Sequence, residues 1–525
     1  MERLKIFSDK INSLLDGGKY LEAKKVLIKE LENSNKDDSS YPLLFAEIAG
    51  FLIDIGSESL DKEATQLGLE MLEKNENFFK DFISEQSYNY CFANGKNAMY
   101  KIENKRNGLP SLESIMPFLS EAKNYYFKAF KVIDLNGIND IDLKILTNLA
   151  NNLYESGRVI EAIRLYDSVL KINSKFPQAL IGMARSIDHW IKISACPQSI
   201  SLFVTIYNLY KEGLIHGVLP PEQKEDVERS FQFFENVLKE RKFDFSTIEH
   251  EMQTNKIEYC NHSVFRKFCL DNFLTLNEHS LFCKCSGSSQ DDLSIVHTGI
   301  SLYGDKVGKM ELLLNRIKSE FHLARKLYFE STEQNDEDAQ EVLYSDLMEG
   351  EAIGTSVEKI RTSFRLCFGI LDKIANGVCY FFDLPKRKHP KEYIYFQDFW
   401  KNQKCPERWE LIKNVRNPHL VALFCIANDL NYSKGEFGFY KNWRNKLEHN
   451  NLIIIENEES LDILDIFKDN FVSKISLSIF EKEALHLLQI CCATIYSYVY
   501  TIRTSSMSNA DGKPTLPFII QPKIK

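Results

Sequence analysis

Apolar residues recur along most of this chain at the three-to-four residue spacing of helices that bury one face. At the start, Leu14-Leu15-Asp16-Gly17-Gly18-Lys19-Tyr20-Leu21-Glu22-Ala23 reads as helix, tight turn and helix. Phe231 to Phe243 reads as helical, after which aromatic and β-branched residues alternate with polar ones around Ile257 to Leu281. Long helices are predicted over Glu311 to Tyr328, Val357 to Phe382, Pro418 to Leu430 and Ser478 to Arg503, with another beginning near Gly438. In the second of these, Phe364, Phe368 and Leu371 read as core, and Arg361, Arg365 and Asp372 are its polar members. Glu330 to Glu341 carries six acids and reads as an exposed connection. The run Ile453-Ile454-Ile455 has two readings, an extended helix or a short strand. Four to five packed helices in the C-terminal half imply an α bundle, in which sites are built from facing helices.

The clearest internal repeat runs from Leu149 through Ala150, Gly157, Glu161 and Ala162 to Tyr166 and Leu170. It resembles the tetratricopeptide scheme of small residue, turn glycine, Glu-Ala and an aromatic four positions later. Glu121-Ala122 with Tyr126 and Ala129 repeats the second-helix half. Small residues at Ala150 and Ala162 let paired helices approach closely, and stacking such pairs buries a core and leaves a concave groove. That groove is either a scaffold or a site for a regulatory peptide, protein or ligand. The expected division is a repeat domain over 1–230, a connecting segment over 231–310, a bundle over 311–505 and a tail over 506–525.

With 525 residues and 44% hydrophobic content the chain is expected to bury two or three real cores. The N-terminal Met1-Glu2-Arg3-Leu4-Lys5 leads into a charged amphipathic pattern, not an apolar leader. The longest clean apolar run, Leu420 to Ala427, falls well short of the ~20 residues needed to cross a bilayer. Twelve scattered cysteines, with Cys491 and Cys492 adjacent, read as reduced thiols. A cytoplasmic protein without membrane contact is the expectation. Cys260-Asn261-His262 and Cys283-Lys284-Cys285 invite a zinc tetrahedron, but their spacing is poor for one, so no metal and no cofactor are expected.

The net charge of −9 argues against a basic coat for nucleic acid. The distribution is uneven: Leu384 to Asn450 holds 13 Lys/Arg against 7 Asp/Glu, a basic stretch that would attract polyanions in a salt-sensitive way. Lys386 to Lys391 sits in a Pro-bounded stretch that reads as solvated loop, so Lys441 and Lys446 are the better candidates for RNA contact. They flank or fall within Arg444-Asn445-Lys446-Leu447-Glu448-His449. Imidazole is the side chain that titrates nearest neutrality, and guanidinium carries a fixed planar charge matched to phosphate oxygens. On a helix Tyr440, Trp443 and Leu447 share an apolar stripe, while Asn445 and His449 project from nearly the opposite side. Arg444 and Glu448 are helical neighbours, which on an exposed surface makes an ion pair worth only a few tenths of a kcal/mol.

The segment Trp443 to Asn450 resembles the Arg-x4-6-His signature of HEPN domains (higher eukaryotes and prokaryotes nucleotide-binding), helical bundles many of which are ribonucleases. Phe265 to Asn272 with Leu274 to Asn277, and Asn417-Pro418-His419 running on to Asn428-Asp429-Leu430, are similar in the same order to a bacterial subgroup that places tetratricopeptide-like repeats before the HEPN domain. The resemblance implies an all-α fold: a helical-repeat solenoid followed by a HEPN-type bundle with insertions. It also implies an RNA-cleaving toxin or antiphage effector. Cleavage would be a metal-independent transesterification, with His449 as base or acid, Arg444 steadying the transition state, Asn445 orienting His449 or the phosphate, and Glu448 holding Arg444. The products would be a 2′,3′-cyclic phosphate and a 5′-OH. One histidine leaves a proton-transfer group missing, and HEPN domains commonly dimerise with their motifs facing, so a homodimer with a composite site is expected. A non-catalytic adaptor with an inactive bundle is the alternative, and a latent, nucleotide-responsive nuclease is a third. The insertion from Leu384 to Arg416, rich in aromatics, would either cap the cleft or bury itself against the bundle.

Overall fold

Two turn glycines open the helical hairpins of the N-terminal half, Gly18 at φ 69° and Gly157 at φ 77°, a region where a Cβ is strained. The structure is a computed structural model. It describes residues 2–525 apart from 36–37, 39–40, 77–82, 105–111, 114–117, 132, 134–136, 195–198, 296–299, 302–305, 334–341, 345–349, 386–392, 402, 404, 434, 450, 457–471, 509–514 and 517–525. The chain separates into two compact units, one of residues 1–193 with 197–245 and the other of 194–196 with 246–525.

The first unit is all helix among the described residues: α1 (Glu2–Asp16), α2 (Tyr20–Asn33), α3 (Tyr41–Ser59), α4 (Lys62–Lys74), α5 (Glu85–Asn104), α6 (Leu119–Lys131), α7 (Asp140–Glu155), α8 (Val159–Ile172), α9 (Pro177–Ile193), α10 (Ile200–His216) and α11 (Pro221–Glu240). Consecutive helices pack as pairs, α3 with α4, α5 with α6, α7 with α8 and α9 with α10. Ala150 and Ala162 are fully buried where α7 meets α8, as the repeat pattern requires. Asn139 caps α7 by accepting from the Ile141 and Asp142 amides in a capping box. Between pairs, the buried Asn152 amide donates to Asn97 at 3.0 Å and to the Leu119 carbonyl at 3.1 Å.

The second unit holds α12 (Ile248–Cys260), α13 (Val264–Asp271), α14 (Val307–Thr332), α15 (Thr355–Phe381), α16 (Pro406–Ile412), α17 (Pro418–Asp429), α18 (Phe439–His449) and α19 (Leu477–Ser508). α14, α15, α17 and α18 pack around α19, directly or through α15. α19 is long and apolar enough to cross a membrane, yet 83% of its apolar window is buried within the protein, so it is the bundle's central core helix. Short strands accompany the helices: β1 (Ile300–Ser301) pairs antiparallel with β4 (Thr515–Leu516), and β2 (Asn451–Ile455) pairs parallel with β3 (Val472–Ser476), Asn451 opposite Val472. The isoleucine run therefore becomes strand, buried at Ile453, Ile454 and Ile455. Its other edge bonds to the chain at Gly350 and Ala352.

Residues 246–295, within the 231–310 segment read from sequence as a connection, belong to the second unit. The Tyr496 hydroxyl of α19 donates to the Thr275 and Asn277 carbonyls and accepts from the Asn277 amide, each at 2.9 Å. Buried Arg325 on α14 pairs with Asp291, and buried Arg503 on α19 pairs with Glu278 at 2.8 Å. Polar residues placed at these points gave the segment its loop-like pattern, because it bonds through backbone and ion pairs where a helix would use an apolar face. The acidic run over 334–341, Lys386 to Lys391 and Lys404 lie outside the described residues.

Candidate active site

α18 is pinned by its apolar stripe. Tyr440 is fully buried, and its hydroxyl donates to the Glu483 carboxylate of α19 and lies 2.9 Å from His486 Nδ1. Trp443 packs on Phe364 of α15 and Phe480 of α19, at ring distances of 6.2 and 5.9 Å. With that face fixed, the other turns toward a cavity of about 400 Å³ lined by Phe368, Asp372, Tyr395, Gln397, Lys441, Arg444, Asn445 and His449. The structure thus brings Arg444, Asn445, His449 and Lys441 to one cavity.

Arg444 Nη1 donates to the Asn445 side-chain oxygen at 3.2 Å. Glu448 is exposed and does not line the cavity. Lys446 also lies off the cavity, its ammonium bonded to Ser473 on β3, where it ties the C-terminal end of α18 to the strand pair. Lys441 lies over the Tyr395 ring at 5.9 Å.

Sequence reasoning noted Asp372 only as a polar member of its helix. It stands one turn beyond Phe368 on α15, a carboxylate breaking the border of an otherwise apolar face, and that break is the signal that could have marked it. Burial raises its pKa to about 6, against the lowering influence of the Phe396 amide that donates to it at 2.9 Å and of the Arg444 and Lys441 charges; Asp398 adds to the rise. Such a carboxyl can exchange a proton near neutrality. Asp372, His449 and Arg444 together offer two proton-transfer groups and a fixed cation in one chain.

The insertion buries part of its aromatics and lends two side chains to the cavity. Phe396, Phe399 and Trp400 are buried, and the Trp400 and Trp409 rings meet Phe424 of α17 at 5.6 Å edge-on and 5.4 Å tilted. Tyr395 and Gln397 instead form one wall of the cavity.

A second cavity, of about 420 Å³, lies within the first unit. Alternate helices α3, α5, α7 and α9 present polar side chains to it, among them Asp54, Asn94, Asn148, Asn151, Glu155 and Arg185. The amides are chained: Asn151 donates to Asn148 at 3.3 Å, Asn148 to Asn94 at 3.1 Å, and Tyr166 to Asn151 at 2.5 Å. Gly182 leaves the space Tyr166 needs, since a Cβ there would lie 2.6 Å from the ring. Asp54 opens onto the cavity, and desolvation by the surrounding protein with the nearby Glu58 charge raises its pKa to about 6, against the lowering influence of Lys144.

Residues 303–505 match the family model described as LA2681-like HEPN. No curated protein and no solved structure matches the chain.

Proposed function

We propose that this chain, which carries a HEPN domain over residues 303–505, is an endoribonuclease that cuts RNA by transesterification, acting as a regulated toxin or antiphage effector. The observation that carries the reading is the meeting of Arg444, His449 and Asp372 at one cavity. In the proposed reaction Asp372, ionised at neutral pH, accepts the ribose 2′-OH proton. The 2′-oxygen forms a bond to phosphorus as the bond to the 5′-oxygen breaks, and His449 gives that oxygen its proton. Arg444, steadied by Asn445, carries the charge that gathers on the phosphorane. Lys441 attracts the phosphate backbone, and Tyr395 offers a ring on which a base can stack. The chain leaves with a 2′,3′-cyclic phosphate on one fragment and a 5′-OH on the other.

The HEPN resemblance supports a homodimer as the working assembly. Since Asp372 supplies a second proton-transfer group in the same chain, dimerisation serves RNA placement and stability more than completion of the acid–base pair. The polar cavity of the first unit is the proposed site for the ligand or partner that regulates cleavage.

The test is cleavage of single-stranded, structured and transfer RNA without added divalent cation. Wild type is expected to cut at least one of them, with His449→Ala and Arg444→Ala each at least a hundredfold slower and equally folded. Equal inertness of wild type and His449→Ala on all three, before and after addition of infected-cell extract, would support the adaptor reading instead.

A further inference from the structure

We propose that the second unit carries a structural zinc site held by His279, Cys283 and Cys285. The donor atoms of these three side chains all lie within 4.8 Å of one another. His279 Nε2 is 3.0 Å from Cys285 Sγ. In a tetrahedral zinc site with bonds of ~2.0 Å to nitrogen and ~2.3 Å to sulfur, donor atoms stand roughly 3.5 Å apart, so the trio closes on a metal with small side-chain movements. Two thiolates and an imidazole are the donor set that zinc prefers among common intracellular cations.

The backbone is shaped for the purpose. His279 lies in a short 3₁₀ turn (Glu278–Leu281), and the Cys283 amide bonds back to the His279 carbonyl at 3.0 Å, bringing the first thiol under the ring. A second turn follows, where the Ser288 amide donates to the Cys285 carbonyl at 3.0 Å. At Gly287 a side chain would press on the site, its would-be Cβ lying 3.1 Å from the His279 ring and 3.5 Å from Cys285 Sγ. His262, one of the residues that drew attention in the sequence, is not a donor in this set. Its Nε2 lies 3.1 and 3.2 Å from the Lys284 and Cys285 carbonyls, where it orients the cysteine turn. Cys260 is exposed and outside the cluster. Glu258 lies outside the donor cluster: its carboxylate accepts from the Ser286 amide at 2.8 Å, which steadies the turn after Cys285 and leaves the fourth coordination position to an exogenous donor such as water.

The need for a staple follows from the fold. From Asn272 to Ile295 the described chain forms only single 3₁₀ turns, and a stretch that long without regular structure inside a domain needs some other means of fixing its path. It is also the stretch whose Asn277 and Glu278 bond Tyr496 and Arg503 at the heart of the bundle. Metal binding would order it, releasing the thiol protons as the ion binds.

The inference is independent of RNA cleavage and is tested without it. Full-length protein expressed with zinc is expected to contain close to one zinc per chain by elemental analysis, and cobalt-reconstituted protein to show the visible bands of a tetrahedral thiolate site. Cys283→Ser, Cys285→Ser and His279→Ala should each lower metal content at least tenfold, and Cys260→Ser should leave it unchanged. Wild type lacking stoichiometric metal and tetrahedral cobalt bands would overturn the site, a result that needs no variant to fold. Retention of metal by the Cys283 or Cys285 variants would overturn this donor set.

Discussion

In the proposed reaction Asp372 is a half-buried acid whose burial, raising its pKa to about 6, sets chemistry against stability. Its neighbours in the cavity are Arg444, Lys441, His449 and Tyr395, with Asp398 close by and the Phe396 amide on its oxygen. A carboxyl with a raised folded-state pKa is penalised when ionised. Its contribution to stability is therefore present below the ordinary carboxylate range and is lost as pH rises through about 6. Asp372→Asn is expected to stabilise the protein at pH 7 by on the order of 2 kcal/mol, measured by denaturant melts, while slowing cleavage at least a hundredfold. In wild type the rate should climb with pH through about 6 as the base ionises, and the variant should lack that rise. A variant that is destabilised and still active would assign Asp372 a purely structural part.

Among the elements, α17 and α18 are held by specific bonds as much as by packing. Asn417 caps α17 by accepting from the His419 and Leu420 amides at 3.0 and 3.1 Å, and its own amide donates to the Thr501 carbonyl and the Thr504 and Ser505 hydroxyls of α19. Asn417→Ala should cost about 2 kcal/mol of stability, read from equilibrium unfolding, because it removes the cap and leaves buried groups unpaired. The helices themselves were legible in the sequence: α14, α15, α17, α18 and α19 lie where the 3.6-residue period put them, within a few residues at each end. Arg444, Asn445 and His449 were legible too, since they share one helix and their relative direction follows from helical geometry. Asp372, Tyr395 and Gln397 come from α15 and the insertion, and their approach to α18 depends on packing between segments that no local pattern records. Spacing makes Glu448 a neighbour of Arg444 but does not record that Arg444 donates to Asn445. His279 escaped notice because its partnership with Cys283 and Cys285 rests on a non-helical turn.

At the scale of the whole molecule, the proposed RNA cleavage would need a control, and the proposed place for it is the polar cavity of the first unit. Asp54, with its raised pKa, would gain from a cationic group placed beside it. Because Asp372, His449 and Arg444 sit on one chain, mixing Arg444→Ala with His449→Ala subunits should restore no more than a few per cent of wild-type cleavage. Substantial recovery would show instead that one cleft draws Arg444 and His449 from two partners. Sedimentation should find twice the 60.9 kDa chain mass, and a monomer active at every concentration would remove the dimer from the account.

The central claim is that Arg444, His449 and Asp372 drive attack by the ribose 2′-oxygen, and the chemistry of the cut ends tests it most directly. Mass spectrometry of fragments from a defined RNA should find 2′,3′-cyclic phosphate and 5′-OH termini, with no cut at a nucleotide carrying 2′-deoxyribose. Fragments ending in 3′-OH and 5′-phosphate, or cleavage that continues at the deoxy position, would contradict it.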